Sequence, residues 1–323
     1  MKVPTPRRRL AAAIAAVLAA AALVSTGPAA SRDEAFDPLL SDASAVCGPA
    51  SGGVPPVLRL LTVAARTETA PFQPAPMQAA AGEPRLYANL GTLAFKVSTT
   101  NVRAQAFVDQ GVRLAFGFNH AEAQRAFRAA QKLDPACAMC RWGEALVLGP
   151  NINAPMDPQA NAPALEALAK AVALKDRATP RERALIEALE KRYSADPKAE
   201  RAALDAAYAD AMRDVAARFP NDLTIATLAV EAAMDTQPWD YWEPGGVKGK
   251  GRGDYIVSTL ERVLRRDASH PGAIHLYIHA VEASAKPERA LPYANRLAAQ
   301  MPGAGHIVHM PAHIYYRVGM YRE

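Results

Sequence analysis

One stretch of this 323-residue chain places Gly111, Ala123, Phe127, Ala130 and Pro135 at successive spacings of 12, 4, 3 and 5. That spacing constrains the fold more than any other feature of the sequence. Small residues at helical intervals let two helices approach closely. An aromatic ring fills the gap between them, and a proline ends the second helix because it has no N–H to donate. The pattern returns later. Ala290 and Pro302 keep the interval of Ala123 and Pro135. Ala312, Tyr315, Gly319 and Tyr321 then give the small, aromatic, turn-glycine and aromatic positions of another first helix. Recurrence in phase marks stacked supersecondary units, none of which buries its apolar face alone.

Composition agrees. Half of the residues are hydrophobic, 7% are aromatic and 21% are charged, and the mean hydropathy is −0.08. Text rich in Ala, Leu, Arg and Glu favours helix over sheet. Its balance excludes wholesale disorder and a polytopic membrane protein. Helices are predicted at Ala104 to Gly117, His120 to Leu133, Cys137 to Leu148, Pro163 to Leu174, Pro180 to Tyr193, Lys198 to Phe219, Leu223 to Met234, Tyr255 to Arg266, Pro271 to Glu282 and Pro287 to Gln300, with a last one from Gly305 to the chain end. Two insertions interrupt them: a proline-bounded stretch at 149–158, and a loop at 235–253 rich in Trp, Gly and basic residues.

These spacings resemble the 34-residue tetratricopeptide repeat (TPR), clearly at 103–137 and 271–323 and in degenerate form between. The resemblance implies an all-α fold over 103–323: a right-handed superhelical solenoid of antiparallel helix pairs, with loop insertions and a concave groove for a protein or peptide. Glu323 would stand about 19 residues into its repeat, so the solenoid is expected to be cut off inside its last repeat, where solenoids ordinarily carry a polar cap.

The start of the chain reads differently. Lys2, Arg7, Arg8 and Arg9 precede an apolar run from Leu10 to Val24 and a small-residue exit ending near Ala30. A basic start, a short apolar core and small residues form a secretory signal peptide over 1–30. The run is short for a membrane span, which needs ~20 residues, so membrane attachment would come only from an uncleaved signal segment. Removing the four basic residues takes the formal net charge from +5 to +1, which leaves no electrostatic case for nucleic acid. A periplasmic or secreted location follows. Residues 31–102, with Pro38, Pro49, Pro55, Pro56, Pro71, Pro74, Pro76 and Pro84, read as a Pro/Ala-rich, largely extended leader.

Three cysteines remain after cleavage. Cys137 and Cys140 read C-A-M-C at a predicted helix start. In an oxidising compartment that spacing suits a local disulfide, redox chemistry, a metal or two structural thiols. Arg141, where a c-type haem site would have His, excludes that attachment. Cys47 is left to pair elsewhere or stay free.

Six of the seven histidines lie between 270 and 313. His275 and His279 share a helix face, as do His309 and His313, and His306 lies one turn before His309. The two pairs stand 34 residues apart, at equivalent positions of consecutive repeats. In the resembled family these positions of the first helix face the concave groove. First helices packed about 8–10 Å apart would set the two pairs against one another. Glu282 extends the His279 stripe, and Tyr316 is its counterpart one repeat later.

Three uses are open. The neutral imidazoles suit a transition metal such as Zn or Cu, with His275, His279, His309 and His313 as ligands and Glu282 or His306 assisting. Protonated, they suit an acidic partner. Each could also be a satisfied structural residue. No catalytic constellation is complete: HExxH is absent, since Leu276 follows His275, and no G-x-S-x-G occurs. The loop Gly245 to Gly253 misses a phosphate-loop pattern at Pro244 and Gly251. Asn151, Asn153 and Asp157 fit no EF-hand spacing. Trp239, Tyr241 and Trp242 either pack the insertion down or form a lid on the groove. The leading reading is an exported, non-enzymatic TPR scaffold binding a protein or peptide through His275, His279, Glu282, His306, His309, His313 and Tyr316. The alternative is a Zn or Cu metalloprotein.

Overall fold

A computed structural model describes residues 84–322. The signal segment, Cys47 and the leader up to residue 83 lie outside the described residues. Among the described residues the fold is all-α, with no strand beyond two isolated bridges. Among the described residues no helix is long and apolar enough to cross a membrane.

Side-chain caps start half of the helices. Asn101 accepts from the N–H groups of Arg103 and Ala104 and opens α1, Val102–Phe116. Asn119 accepts from Glu122 N and opens α2, His120–Leu133. Cys137 opens α3, Ala138–Val147, and α4, Asn161–Ala173, follows the first insertion. Thr179 and Glu182 form a reciprocal capping box with Pro180 at the first position of α5, Pro180–Leu189. After α6, Arg201–Arg218, Asp222 caps α7, Leu223–Asp235. Beyond the second insertion lie α8, Gly253–Arg266, and α9, Pro271–Val281, the latter capped by His270. The last elements are α10, Leu291–Gln300, α11, Gly305–His309, and α12, Pro311–Val318.

The single helix predicted from Gly305 onward is thus two. Pro311 has no N–H for the carbonyl one turn back, so the helix breaks at Met310–Pro311. Gly319 ends α12 in the left-handed region at φ 81°. The predicted 180–193 helix stops at Leu189, and the residues to Arg192 are tight turns.

Consecutive helices pack on one another through the chain: α1 on α2, α2 on α3, α3 on α4, α6 on α7, and α7, α8 and α9 in turn. The spacing from Gly111 to Pro135 has a physical basis in the packing. The fully buried Phe127 ring sits between Gly111 of α1 and Gly143 of α3. A Cβ would stand 2.6 Å from that ring at Gly111 and 2.2 Å at Gly143.

Two further features position the site. First, α9 packs against α1 although seven helices separate them in sequence. Gly272 lies on the Phe116 ring, where a Cβ would be 2.5 Å away. Residues 84–101 run without helix or strand and lend Leu90, Phe95 and Val97 to the core, Phe95 stacking on Trp142 at 5.8 Å. Second, a buried ion network holds the insertions. Arg192 pairs with Asp235 at 2.6 Å and donates to the Pro150 carbonyl at 2.9 Å. Asn151 closes a turn by accepting from Asn153 N and Ala154 N. The indole N–H of Trp239 then donates to the Ile152 carbonyl at 2.9 Å, joining the two insertions.

Candidate metal centre

The helix pairing brings His275, His279, Glu282, His306, His309 and His313 into one cluster. His275 and His279 lie on α9 with Glu282 as its C-cap. His306 and His309 lie on α11, and His313 on α12. Consecutive rings are close: 4.9 Å between the centroids of His275 and His279, 4.8 Å from His275 to His306, 5.4 Å from His279 to His313 and 5.0 Å from His309 to His313.

Proton placement follows from the partners. His275 Nδ1 lies 2.6 Å from the Phe116 carbonyl oxygen, which can only accept. Nδ1 therefore carries the proton, and Nε2 presents a lone pair. The Glu282 carboxylate fixes two more rings in the same sense, one oxygen 3.2 Å from His279 Nδ1 and the other 2.7 Å from His313 Nδ1. An imidazole whose Nδ1–H is held by a carbonyl or carboxylate is the usual outer shell of a metal-binding histidine. The Nε2 atoms so exposed meet other imidazoles: His275 with His306 at 2.9 Å, and His309 with His313 at 3.1 Å. Two nitrogens on one tetrahedral ion with 2.0–2.1 Å bonds stand about 3.3 Å apart. The Nε2 of His279 is buried with no hydrogen-bond partner.

Electrostatics keep the rings of His275, His279 and His306 neutral. Burial, then the neighbouring His306 and His279, hold His275 well below the usual imidazole range. Burial pushes His279 down against the pull of Glu282. Burial and the adjacent histidines lower His306 to about 2. Burial alone would raise the Glu282 carboxyl, but hydrogen bonds from His279 and His313 outweigh it and hold it at about 2. Neutral imidazoles beside an ionised carboxylate are what a divalent cation requires.

The walls are aromatic, and their backbone is strained. Phe118 and Trp239 are the non-glycine residues with positive φ among those described, at 54° and 66°. Holding an L-residue there costs about 1–2 kcal/mol, and such strain gathers at functional sites. Phe118 packs against His275 at 4.5 Å and stacks on His306 at 5.2 Å. Trp239 meets His279 edge-on at 4.9 Å.

The arrangement differs from the expected one in three respects. His275 and His279 are 0% and 1% exposed, so they line no open groove. His275 pairs with His306 rather than with its repeat equivalent His309, because α11 ends at Met310–Pro311. Tyr316 is 70% exposed, packs on Tyr321 at 5.9 Å and makes no ring contact with the cluster. Sequence reasoning missed the Phe116 carbonyl and Phe118. Their part depends on α9 returning to α1, for which no local spacing gives a signal.

The other singled-out residues lie elsewhere. Cys137 and Cys140 are joined as a disulfide. His270 is the buried cap of α9, accepting from Ala273 N. Asp157 caps a short 3-10 turn. Trp242 donates to the Ala280 carbonyl at 2.7 Å and Lys250 pairs with Asp240, which pins the basic loop beside α9. A cleft of about 890 Å³ opens between residues 96–100 and the start of α5. Its main charged groups are committed: Ser98 donates to Glu182 at 2.6 Å, and Arg181 pairs with Asp222 at 2.5 Å.

No protein-family model matches this chain, and comparison with curated proteins finds no match either.

Proposed function

We propose that this protein binds a transition metal ion through the Nε2 atoms of His275, His279 and His306, with Glu282 and the Phe116 carbonyl orienting the rings. One observation carries the reading: a buried Nε2 lone pair on His279 with no donor to meet it. His279 belongs to a group of three histidines, with His275 and His306, each offering a ring nitrogen within 4.8 Å of the others. A buried polar atom without a partner costs about 1–3 kcal/mol, and an ion removes that cost. All-nitrogen ligation suits Zn or Cu rather than Mg or Ca, which take oxygen. The enclosing framework is read as a TPR-like right-handed solenoid of antiparallel helix pairs. Support comes from the in-phase small and aromatic positions and from Phe127 set between Gly111 and Gly143.

Elemental mass spectrometry of protein purified without a His tag or chelator, then offered Zn and Cu and gel-filtered, tests the reading. The wild-type chain should retain metal and a folded His279→Gln variant should lose most of it. Equal retention by both would overturn it.

A protein or peptide partner is the second reading, favoured by exposed Val308, Tyr316 and Tyr321 along the last helices. Burial of His275 and His279 removes them from such a contact, leaving His309 and Tyr316 as its markers. A partner that co-purifies with wild type and is lost from Tyr316→Ala would support it. Co-purification unchanged in that variant would remove it.

A further inference from the structure

We infer that the cluster holds two metal ions: an inner one on His275, His279 and His306 and an outer one on His309 and His313, with Glu282 between them. This rests on the reading of the cluster as a transition-metal centre. The candidate ligand atoms do not form one shell. Two groups overlap at His279, namely His275/His279/His306 and His279/Glu282/His313, and His309 joins the second only through His313, 3.1 Å away. An ion with 2.0–2.1 Å bonds reaches donors at most about 4.2 Å apart, and a tetrahedral ion takes four. Five imidazoles drawn from three helices exceed that.

The closest Nε2 contacts fall in two pairs. His275 and His306 present their Nε2 atoms to each other at 2.9 Å, and His309 and His313 do so at 3.1 Å. Within these pairs the ring centroids are 4.8 and 5.0 Å apart, whereas His306 and His309, neighbours on α11, are 6.4 Å apart. The break at Pro311 turns His313 back onto His309. Glu282 then serves both halves, one oxygen on His279 of the inner set and the other on His313 of the outer. Its negative charge between two cations lowers their mutual repulsion.

The two positions differ in openness. The inner set is walled by Phe118 and Trp239. In the outer pair His309 is exposed and His313 half-buried. An ion held by only two protein nitrogens keeps coordination positions for solvent or a small oxygen- or nitrogen-donor ligand. The outer ion is the exchangeable one.

Titration of the metal-free full chain with Cu²⁺ alone, followed by elemental analysis and electron paramagnetic resonance, tests this. The expected result is two equivalents bound. The second should cause loss of integrated signal below half of the bound copper, because two adjacent Cu²⁺ spins couple. A His309→Ala/His313→Ala variant, which alters half-buried and exposed residues rather than the core, should bind one equivalent with full signal. One equivalent in wild type would overturn the two-ion inference and leave the metal-binding reading standing. Two uncoupled equivalents, or two retained by the double variant, would also overturn it. No bound copper would overturn both.

Discussion

Replacing Glu282 by Gln removes the group that holds two of the histidines in one tautomer. Its two carboxylate oxygens accept from His279 Nδ1 at 3.2 Å and from His313 Nδ1 at 2.7 Å. A glutamine offers one accepting oxygen and one NH₂. Whichever imidazole meets the NH₂ faces a donor and must shift its own proton to Nε2 or rotate away. Either change takes one lone pair out of the ligand set, and loss of the charge acts in the same direction. Outer-shell substitutions of this kind weaken metal binding about 10–100-fold, which is about 1.4–2.7 kcal/mol. Glu282→Asp keeps both acceptors on a shorter arm and should fall between. The assay is competition for Zn²⁺ against a chromogenic chelator at neutral pH, with thermal melting of the metal-free forms as the check on folding. Affinity within about twofold of wild type would refute the orienting role derived from the hydrogen-bond geometry. A folded variant with no measurable affinity would refute it differently, by making Glu282 a ligand in its own right.

Further outcomes follow from the same geometry. His120 and His270 are lowered from 6.5 to about 4, each chiefly by burial. Below pH 6.5 the unfolded chain binds protons that the folded one refuses, so stability is full above 6.5 and falls toward 4. Each group contributes up to about 1.4 kcal/mol per pH unit, and a melting temperature of the metal-free protein that is flat from pH 7 to 5 would contradict this. Phe127→Ala should cost about 3–5 kcal/mol in denaturant unfolding, and Gly143→Ala about 1–3 kcal/mol by forcing a Cβ into the Phe127 ring; a neutral effect of both would deny the ring its place between α1 and α3. The Cys137–Cys140 disulfide closes only a four-residue loop, so reducing it should lower stability by about 2 kcal/mol; complete unfolding on reduction would contradict that.

How much of this the residues announce depends on range. Caps and breaks are local, so Asn101, Thr179 with Glu182, and Asp222 mark their helices in the sequence. Gly111 and Phe127 announce a close helix contact because they lie on adjacent helices only 16 residues apart. The 34-residue interval between the histidine pairs gives the gathering of α9, α11 and α12. It does not give the pairing within the cluster. Pro311 suits a first helical position as well as a break, and only packing decides. The burial of His275 and His279 was not legible either. It comes from the return of α9 to α1 and from Phe118 and Trp239, whose left-handed backbone no residue type signals. The sequence offers Glu282 as an assisting ligand; in the fold it stands between two Nδ1 atoms, where it orients the rings.

The most direct test of the central claim is X-ray absorption at the zinc edge of the zinc-loaded protein. The account predicts a first shell dominated by nitrogen at about 2.0–2.1 Å, with the outer-ring scattering of several imidazoles and no sulfur. A shell of oxygen alone, without imidazole scattering, would contradict it.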